Sequence, residues 1–232
     1  MSVTHAALDG SSVTFDGPFD LSGPPVSVMR TRSGTAVHEF TAGDRNLGRW
    51  AAREVVGVEL AEAYAVQGGR LHVGGRNIVG ADGSVSPMLF GVWEGRNASV
   101  GVSHYGSDDS ATVIALFDSF RIRELPAGAM TLKPRSGSGV SVDEPPTVAK
   151  TIDGVGIVEA FTVTRASVRM IPRWGGARVR GGELFMDRAS GSDYFVLAGR
   201  SAIATIVPEQ GAALDDVATG LESLVVEWAV AG

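Results

Sequence analysis

Two glutamates stand where a carboxylate is least expected. Glu62 falls in the alternating series Val58, Leu60, Glu62, Tyr64 and Val66, and Glu159 falls in Val155, Ile157, Glu159, Phe161 and Val163. Alternation of this kind marks one face of a β-strand. A carboxylate on an apolar face keeps its proton more tightly unless it is paired, which is how general acids are made. Glu62 and Glu159 are therefore the candidate catalytic residues. Two similar units packed about a pseudo-twofold would set them face to face across a cleft, with Tyr64 and His72 as further candidates for a small ligand or substrate. The competing reading gives each strand two usable faces, or gives each Glu an Arg partner.

A second group is cationic. Arg165, Arg169, Arg173, Arg178, Arg180 and Arg188 face only Glu183 and Asp187 in the stretch 165–188, a local balance of +4. Trp174 sits among them, where the spacing predicts the turn of a basic hairpin. Guanidinium groups beside an indole bind phosphate, a stacked base or an acidic protein surface. Protein interfaces are enriched in both residue types, so Arg165, Arg169, Arg173, Trp174, Arg178 and Arg180 are the candidate interface residues. Nucleic acid is the poorer partner, because a chain with a formal charge of -6 repels phosphate backbones over most of its surface.

The remaining chemistry is thin. His5, His38, His72 and His104 show no metal-ligand spacing, and the absence of Cys removes disulfides, thiolate metal sites and cysteine nucleophiles together. Gly154-Val155-Gly156 runs on into a strand rather than a phosphate-binding turn, and no Gly-x-Ser-x-Gly elbow exists. Asp108-Asp109 reads as a helix start rather than a cation site. No metal or cofactor is expected, and the chain reads as no enzyme.

The elements that would carry these residues repeat. Glu62-Ala63-Tyr64-Ala65-Val66 recurs 97 residues later as Glu159-Ala160-Phe161-Thr162-Val163. Gly95-Arg96 recurs 104 residues later as Gly199-Arg200, and Phe117-Asp118-Ser119-Phe120 as Leu221-Glu222-Ser223-Leu224. Near each end the period turns helical: Val113, Leu116, Phe117 and Phe120 match Leu214, Val217, Ala218 and Leu221, followed by Leu224, Val225 and Trp228. Between these landmarks lie short strands broken by Asp-Gly and Gly-Gly turns, including hairpins pairing 85–93 with 98–104 and 194–197 with 202–207. The expected fold is α+β: two similar repeats, each a mostly antiparallel sheet with a C-terminal amphipathic helix on one face. The first repeat spans 1–125 with an extra segment at about 36–53. A Pro, Ser and Gly-rich linker follows at 126–146, and the second repeat spans 147–232.

The ending Leu116-Phe117-Asp118-Ser119-Phe120-Arg121-Ile122, closing an antiparallel sheet domain of this size, resembles the last helix of MOG1/PsbP-like domains. That resemblance implies a binding or scaffolding role, since such domains are mostly non-catalytic, and it transfers no site residue.

Composition sets the outer bounds. The 232 residues are 44% hydrophobic and 20% charged, enough apolar surface to order a globular chain. No run of eighteen apolar residues predicts a membrane span, and the start lacks a secretory pattern, so a cytoplasmic protein is expected. Eighteen Arg against two Lys, with abundant Ala, Gly and Val, fits the codon bias of a high-GC genome such as an actinobacterium or its phage. The reading that follows is a non-catalytic assembly, scaffolding or protein-binding protein, a fused pseudo-dimer joining protein partners and its own copies as a homo-oligomer. A phage virion or tail component and a secretion-system adaptor are its concrete forms. The alternatives are a ligand-binding protein or enzyme using the cleft, and nucleic-acid binding through 165–188.

Overall fold

The computed structural model describes every residue except Pro126, Ala127 and Gly232. Strands hold 51% of the residues and helices 14%. The chain forms two compact units: a terminal unit of Met1–Pro25 with Pro146–Gly232, and an inserted unit of Val26–Pro145.

The terminal unit opens with the hairpin β1 (Ser2–Ala6) and β2 (Ser12–Asp16). Asp9 Oδ1 closes its turn by accepting from the Ser11 amide at 2.8 Å. After Pro25 the chain leaves this unit and returns to it at Pro146.

In the inserted unit, β3 (Val26–Ser33) and β4 (Ala36–Asp44) form a hairpin. A short helix, α1 (Leu47–Trp50), runs directly into a π-helical turn, Ala51–Val56, which ends at Gly57 with φ 69°. Strands β5 (Glu62–Val66), β6 (Gly69–Val79), β7 (Val85–Glu94) and β8 (Ala98–Tyr105) then meander back, and β8 docks beside β4. The order is β3-β4-β8-β7-β6-β5, antiparallel throughout. Helix α2 (Ser110–Asp118) follows, capped by Asp109, whose Oδ1 accepts from the Ala111 amide at 2.9 Å. Strand β9 (Phe120–Glu124) pairs with β10 (Met130–Pro134), and β11 (Val140–Val142) adds to β3.

Alternation along β7 sends consecutive side chains to opposite faces, and both faces are covered. Under α2, Phe40 meets Phe117 and Phe120 edge-on at 5.8 and 5.0 Å between centroids. On the other face Ala52, Val58, Met88, Phe90 and Val92 gather beneath the π-helical turn.

The terminal unit resumes with the hairpin β12 (Thr147–Ile152) and β13 (Gly156–Thr162), then a 3-10 turn, Ser167–Met170. Strands β14 (Ala177–Val179), β15 (Gly182–Ala189), β16 (Ser192–Ala198) and β17 (Ala202–Pro208) meander back to β13. Helix α3 (Leu214–Leu221) leads to β18 (Val225–Ala229), which joins β2 in a second, three-stranded sheet. Val13, Phe15, Val158, Ile206, Leu221 and Trp228 are among the residues of its core. The six strands β12–β17 of the terminal unit and the six strands β3–β8 of the inserted unit, all counted in one 13-stranded sheet with β11, are thus wired alike: a hairpin, a helical link, a four-strand meander returning to the hairpin, then a helix and a strand.

The expected α+β class is corrected by this mostly β architecture. Helices α2 and α3 have nine and eight residues, and neither closes its unit, because each feeds a further strand. Leu224, Val226 and Trp228 are buried with period two along β18, and the step from Val225 to Trp228 imitates a helical one. Nor are there two consecutive repeats each ending in a helix, since the terminal unit is itself split by the inserted one. The 97-residue match set β5 against β13, whereas β14 holds the place of β5 in the connection order. The 104-residue matches follow the wiring, joining the β7–β8 turn to the β16–β17 turn and the end of α2 to the end of α3. Residues 36–44 are a strand, and so are two stretches of 126–146, a segment that begins on Pro126 and Ala127, outside the described residues.

Candidate functional site

The segment Leu47–Val56 is pinned to the inserted unit's sheet. Asp44 Oδ1 accepts from the Asn46 and Leu47 amides at 2.7 and 3.1 Å. The Ser99 hydroxyl accepts from the Gly48 amide at 3.0 Å and donates to the Asp44 carbonyl at 2.7 Å. Gly48 is the point of closest approach, where a Cβ would run into Val92 Cγ1. Despite these ties, Trp50 and Val55 stay 52% and 65% exposed.

On one side of this segment lies an apolar groove of about 630 Å³. Thr41 of β4 and Ser103 of β8 line it, together with four large exposed side chains: Val37, Trp50, Val55 and Tyr105. Among the described residues that line it, the charged ones are Arg30 and Glu39, which pair at 2.8 Å, Arg30 also reaching Glu144 at 3.8 Å. Exposed apolar groups gathered in one concavity mark a binding surface.

On the other side lies a polar cleft of about 590 Å³ holding Arg49, His72 and Glu94. Glu94 ends β7 and is nearly buried, and the Arg49 guanidinium grips both its oxygens, Nη2 reaching Oε2 at 3.0 Å. Arg49 Nη2 also lies 3.0 Å from His72 Nε2. Because guanidinium only donates, Nε2 accepts here and Nδ1 carries the proton. Burial lowers the His72 pKa, Glu94 opposes that, and Arg49 and Arg70 reinforce it, so the ring is neutral near pH 7.

Glu62 is exposed at the edge strand β5, where it accepts from the Tyr64 hydroxyl and from Ser110 Oγ at 2.7 Å. These hydroxyls hold its carboxyl below the usual range, Tyr64 foremost, which is the opposite of a raised general acid. Glu159 is half-buried on β13 and accepts from Thr147 Oγ1 at 3.0 Å. Val158 and Ala160 fill the core from β13, while Ile157 on the Glu159 face is exposed, so the strand uses both its faces.

The Arg-rich stretch is one short hairpin preceded by loop. Arg165 and Arg169 flank or occupy the 3-10 turn, and Arg173 and Trp174 lie in the loop before β14. Arg178 is on β14, Arg180 pairs with Asp16 at 2.5 Å, and Arg188 pairs with Asp193 at 2.8 Å. Trp174 is exposed beside Leu184, Met186 and Phe195 in a shallow pocket of the terminal unit.

His38 and His104 stack at 5.4 Å between centroids. Among the described residues no group of three or more His, Cys, Asp and Glu could hold a metal ion, and no helix is long and apolar enough to cross a membrane.

Arg49, Trp50 and Glu94 escaped the sequence reading. Glu94 ends a run of apolar β7 residues next to a Gly-Arg-Asn turn, so it reads as the turn itself. Its burial comes from a helix almost fifty residues away in sequence.

The chain matches no protein-family model, no curated protein and no solved structure.

Proposed function

We propose that the chain is a non-catalytic assembly protein that binds further copies of itself head to tail, the groove of the inserted unit receiving the Trp174 patch of another copy. The observation that supports this reading is the pair of exposed, Trp-centred apolar surfaces, one around Trp50 and one around Trp174. The groove's charges are already paired with one another, so its occupant presents apolar groups. Arg165, Arg169, Arg173 and Arg178, near Trp174 in sequence, have no carboxylate within ion-pair distance among the described residues. The inserted unit that holds the groove carries twelve cations against thirteen carboxylates, so the contact rests on the two apolar surfaces rather than on charge attraction. A head-to-tail contact builds rings or filaments. Those are the forms a virion component or a secretion-system adaptor takes.

Light scattering behind a sizing column tests this. The wild type should run as a multiple of 24.1 kDa. Trp50→Glu and Trp174→Glu should each give monomers, and an equal mixture of the two should give a dimer through the one intact pair of surfaces. A monomeric wild type, or a mixture that stays monomeric, overturns the proposal.

A further inference from the structure

The polar cleft carries a separate inference, independent of the assembly reading. Arg45, Arg49, Arg70 and Arg96 all line it. They come from three stretches of backbone: the β4–α1 connection with α1, strand β6, and the β7–β8 turn. The carboxylates around them are already occupied. Glu94 is held by Arg49. Asp44 accepts from the two amides that start α1. Glu124 caps the β7–β8 turn, accepting from the Arg96 and Ala98 amides at 3.0 and 2.9 Å and from the Asn97 amide.

The pairing of β6 with β7 sharpens the point. Arg70 stands directly opposite Glu94 and would be its natural cross-strand partner. Arg49, reaching over from α1, takes that carboxylate instead. Arg70, like Arg45 and Arg96, is left with no carboxylate within ion-pair distance among the described residues. Four guanidiniums therefore share the cleft with one occupied carboxylate and a neutral His72. The result is strong local positive charge in an acidic chain.

We infer that this cleft binds a tetrahedral oxyanion, a phosphate or sulfate group carried by a small molecule or free in solution. A planar carboxylate is satisfied by one guanidinium fork, as Glu94 is by Arg49. Cations arriving from three separate backbone stretches match an anion whose oxygens diverge in three directions. Gly68 edges the cleft with open space where a side chain would stand, while Gly69 and Gly95 pack against Trp93. Arg49 is the positioning residue: by occupying Glu94 it frees Arg70.

Titration calorimetry with inorganic phosphate, at ionic strength held constant with chloride, tests the inference. Saturable one-to-one binding is expected. Arg70→Ala, Arg45→Ala and Arg96→Ala, all exposed positions outside any ion pair, should each weaken it about tenfold. Arg200→Ala, an exposed cation of the terminal unit, should leave it unchanged. Phenyl phosphate separates the sources: tighter competitive binding marks an ester ligand, and weaker binding marks the free anion, the site standing in either case. Absence of saturable binding by both phosphate and sulfate overturns the inference. So does an Arg200→Ala loss equal to that of Arg70→Ala, which would mean diffuse charge attraction.

Discussion

Arg49 and Glu94 form one ion pair with very unequal exposure, 55% against 8% for the side chains, and that inequality has a measurable consequence. Replacing Arg49 by Met leaves a carboxylate buried without its cation. Breaking a buried pair from one side costs about 3–5 kcal/mol. Because the guanidinium half of this pair faces water, the expected cost falls below that range, about 2 kcal/mol. Replacing Glu94 by Gln removes the buried charge and frees Arg49 to turn into solvent, so what is lost is a charged hydrogen bond whose exposed donor discounts it to about 1 kcal/mol. The double variant should resemble Glu94→Gln alone, because nothing charged is left stranded.

His72 supplies a second readout of the same pair. Its Nε2 lies 3.4 Å from Glu94 Oε2, and Arg49 is one of the groups that lower its pKa. Without Arg49, the ring gains Glu94 as its own partner and its folded pKa rises. Protonated His72 then replaces the missing cation, a contribution present at acid pH and lost as pH rises through the folded pKa. Urea unfolding followed by circular dichroism at about pH 8 and about pH 5.5 measures this, each variant against wild type at the same pH. The Arg49→Met deficit should shrink at the lower pH while that of Glu94→Gln grows, because Glu94 is a group that raises the His72 pKa. Equal deficits for the two variants at both values would refute the claim that burial of Glu94 controls the pair.

Two further outcomes concern the rest of the chain. Burial foremost, and then Lys150, push the His5 pKa down to about 4, and its Nε2 has no hydrogen-bond partner. The folded state therefore takes up this proton later than the unfolded chain, and stability is lost as pH falls from about 6.5 to about 4, by at most about 3 kcal/mol before solvent screening. His5→Phe should flatten that limb of the pH–stability curve, and an unchanged slope would rule the assignment out. Gly48→Ala should cost about 1–3 kcal/mol through its clash with Val92. Adding Val92→Ala should return part of that loss, and a thermal melt showing no recovery would place the strain elsewhere.

The strands and turns were legible because their signals are local. Period-two alternation and Gly-containing turns found short strands and the hairpins pairing 85–93 with 98–104 and 194–197 with 202–207. The class was misread where two periods coincide. Residues three apart, such as Val225 and Trp228, fit a helix and a strand equally, and only pairing with β2, more than two hundred residues earlier, decides for the strand. Likewise nothing local says that β1 and β2 belong with the last third of the chain, because the contact that joins them is long-range by construction. The candidate glutamates show the same limit from the other side. Alternation identifies a face without saying whether that face meets the core or solvent, so Glu62 on an edge strand and Glu94 at the end of a buried one could not be ranked by pattern alone.

Departures from ordinary folding rules gather on the ten residues Leu47–Val56. A π-helical turn replaces α-helical geometry, Trp50 and Val55 face water, Gly48 is forced by close packing, and Arg49 holds a nearly buried carboxylate. The first three features cost stability relative to a plain α-helix with a polar outer face. The matching link of the terminal unit manages with a four-residue 3-10 turn, so the wiring of the sheet does not require them. Costs that the architecture does not need are expected where a surface is kept for binding. Both the apolar groove and the arginine-lined cleft use this segment as a wall, one through Trp50 and Val55 and the other through Arg49. Ligands on its two sides would therefore be coupled through a single short helix, and phosphate in the cleft would change assembly at the groove if Arg49 moves when it binds.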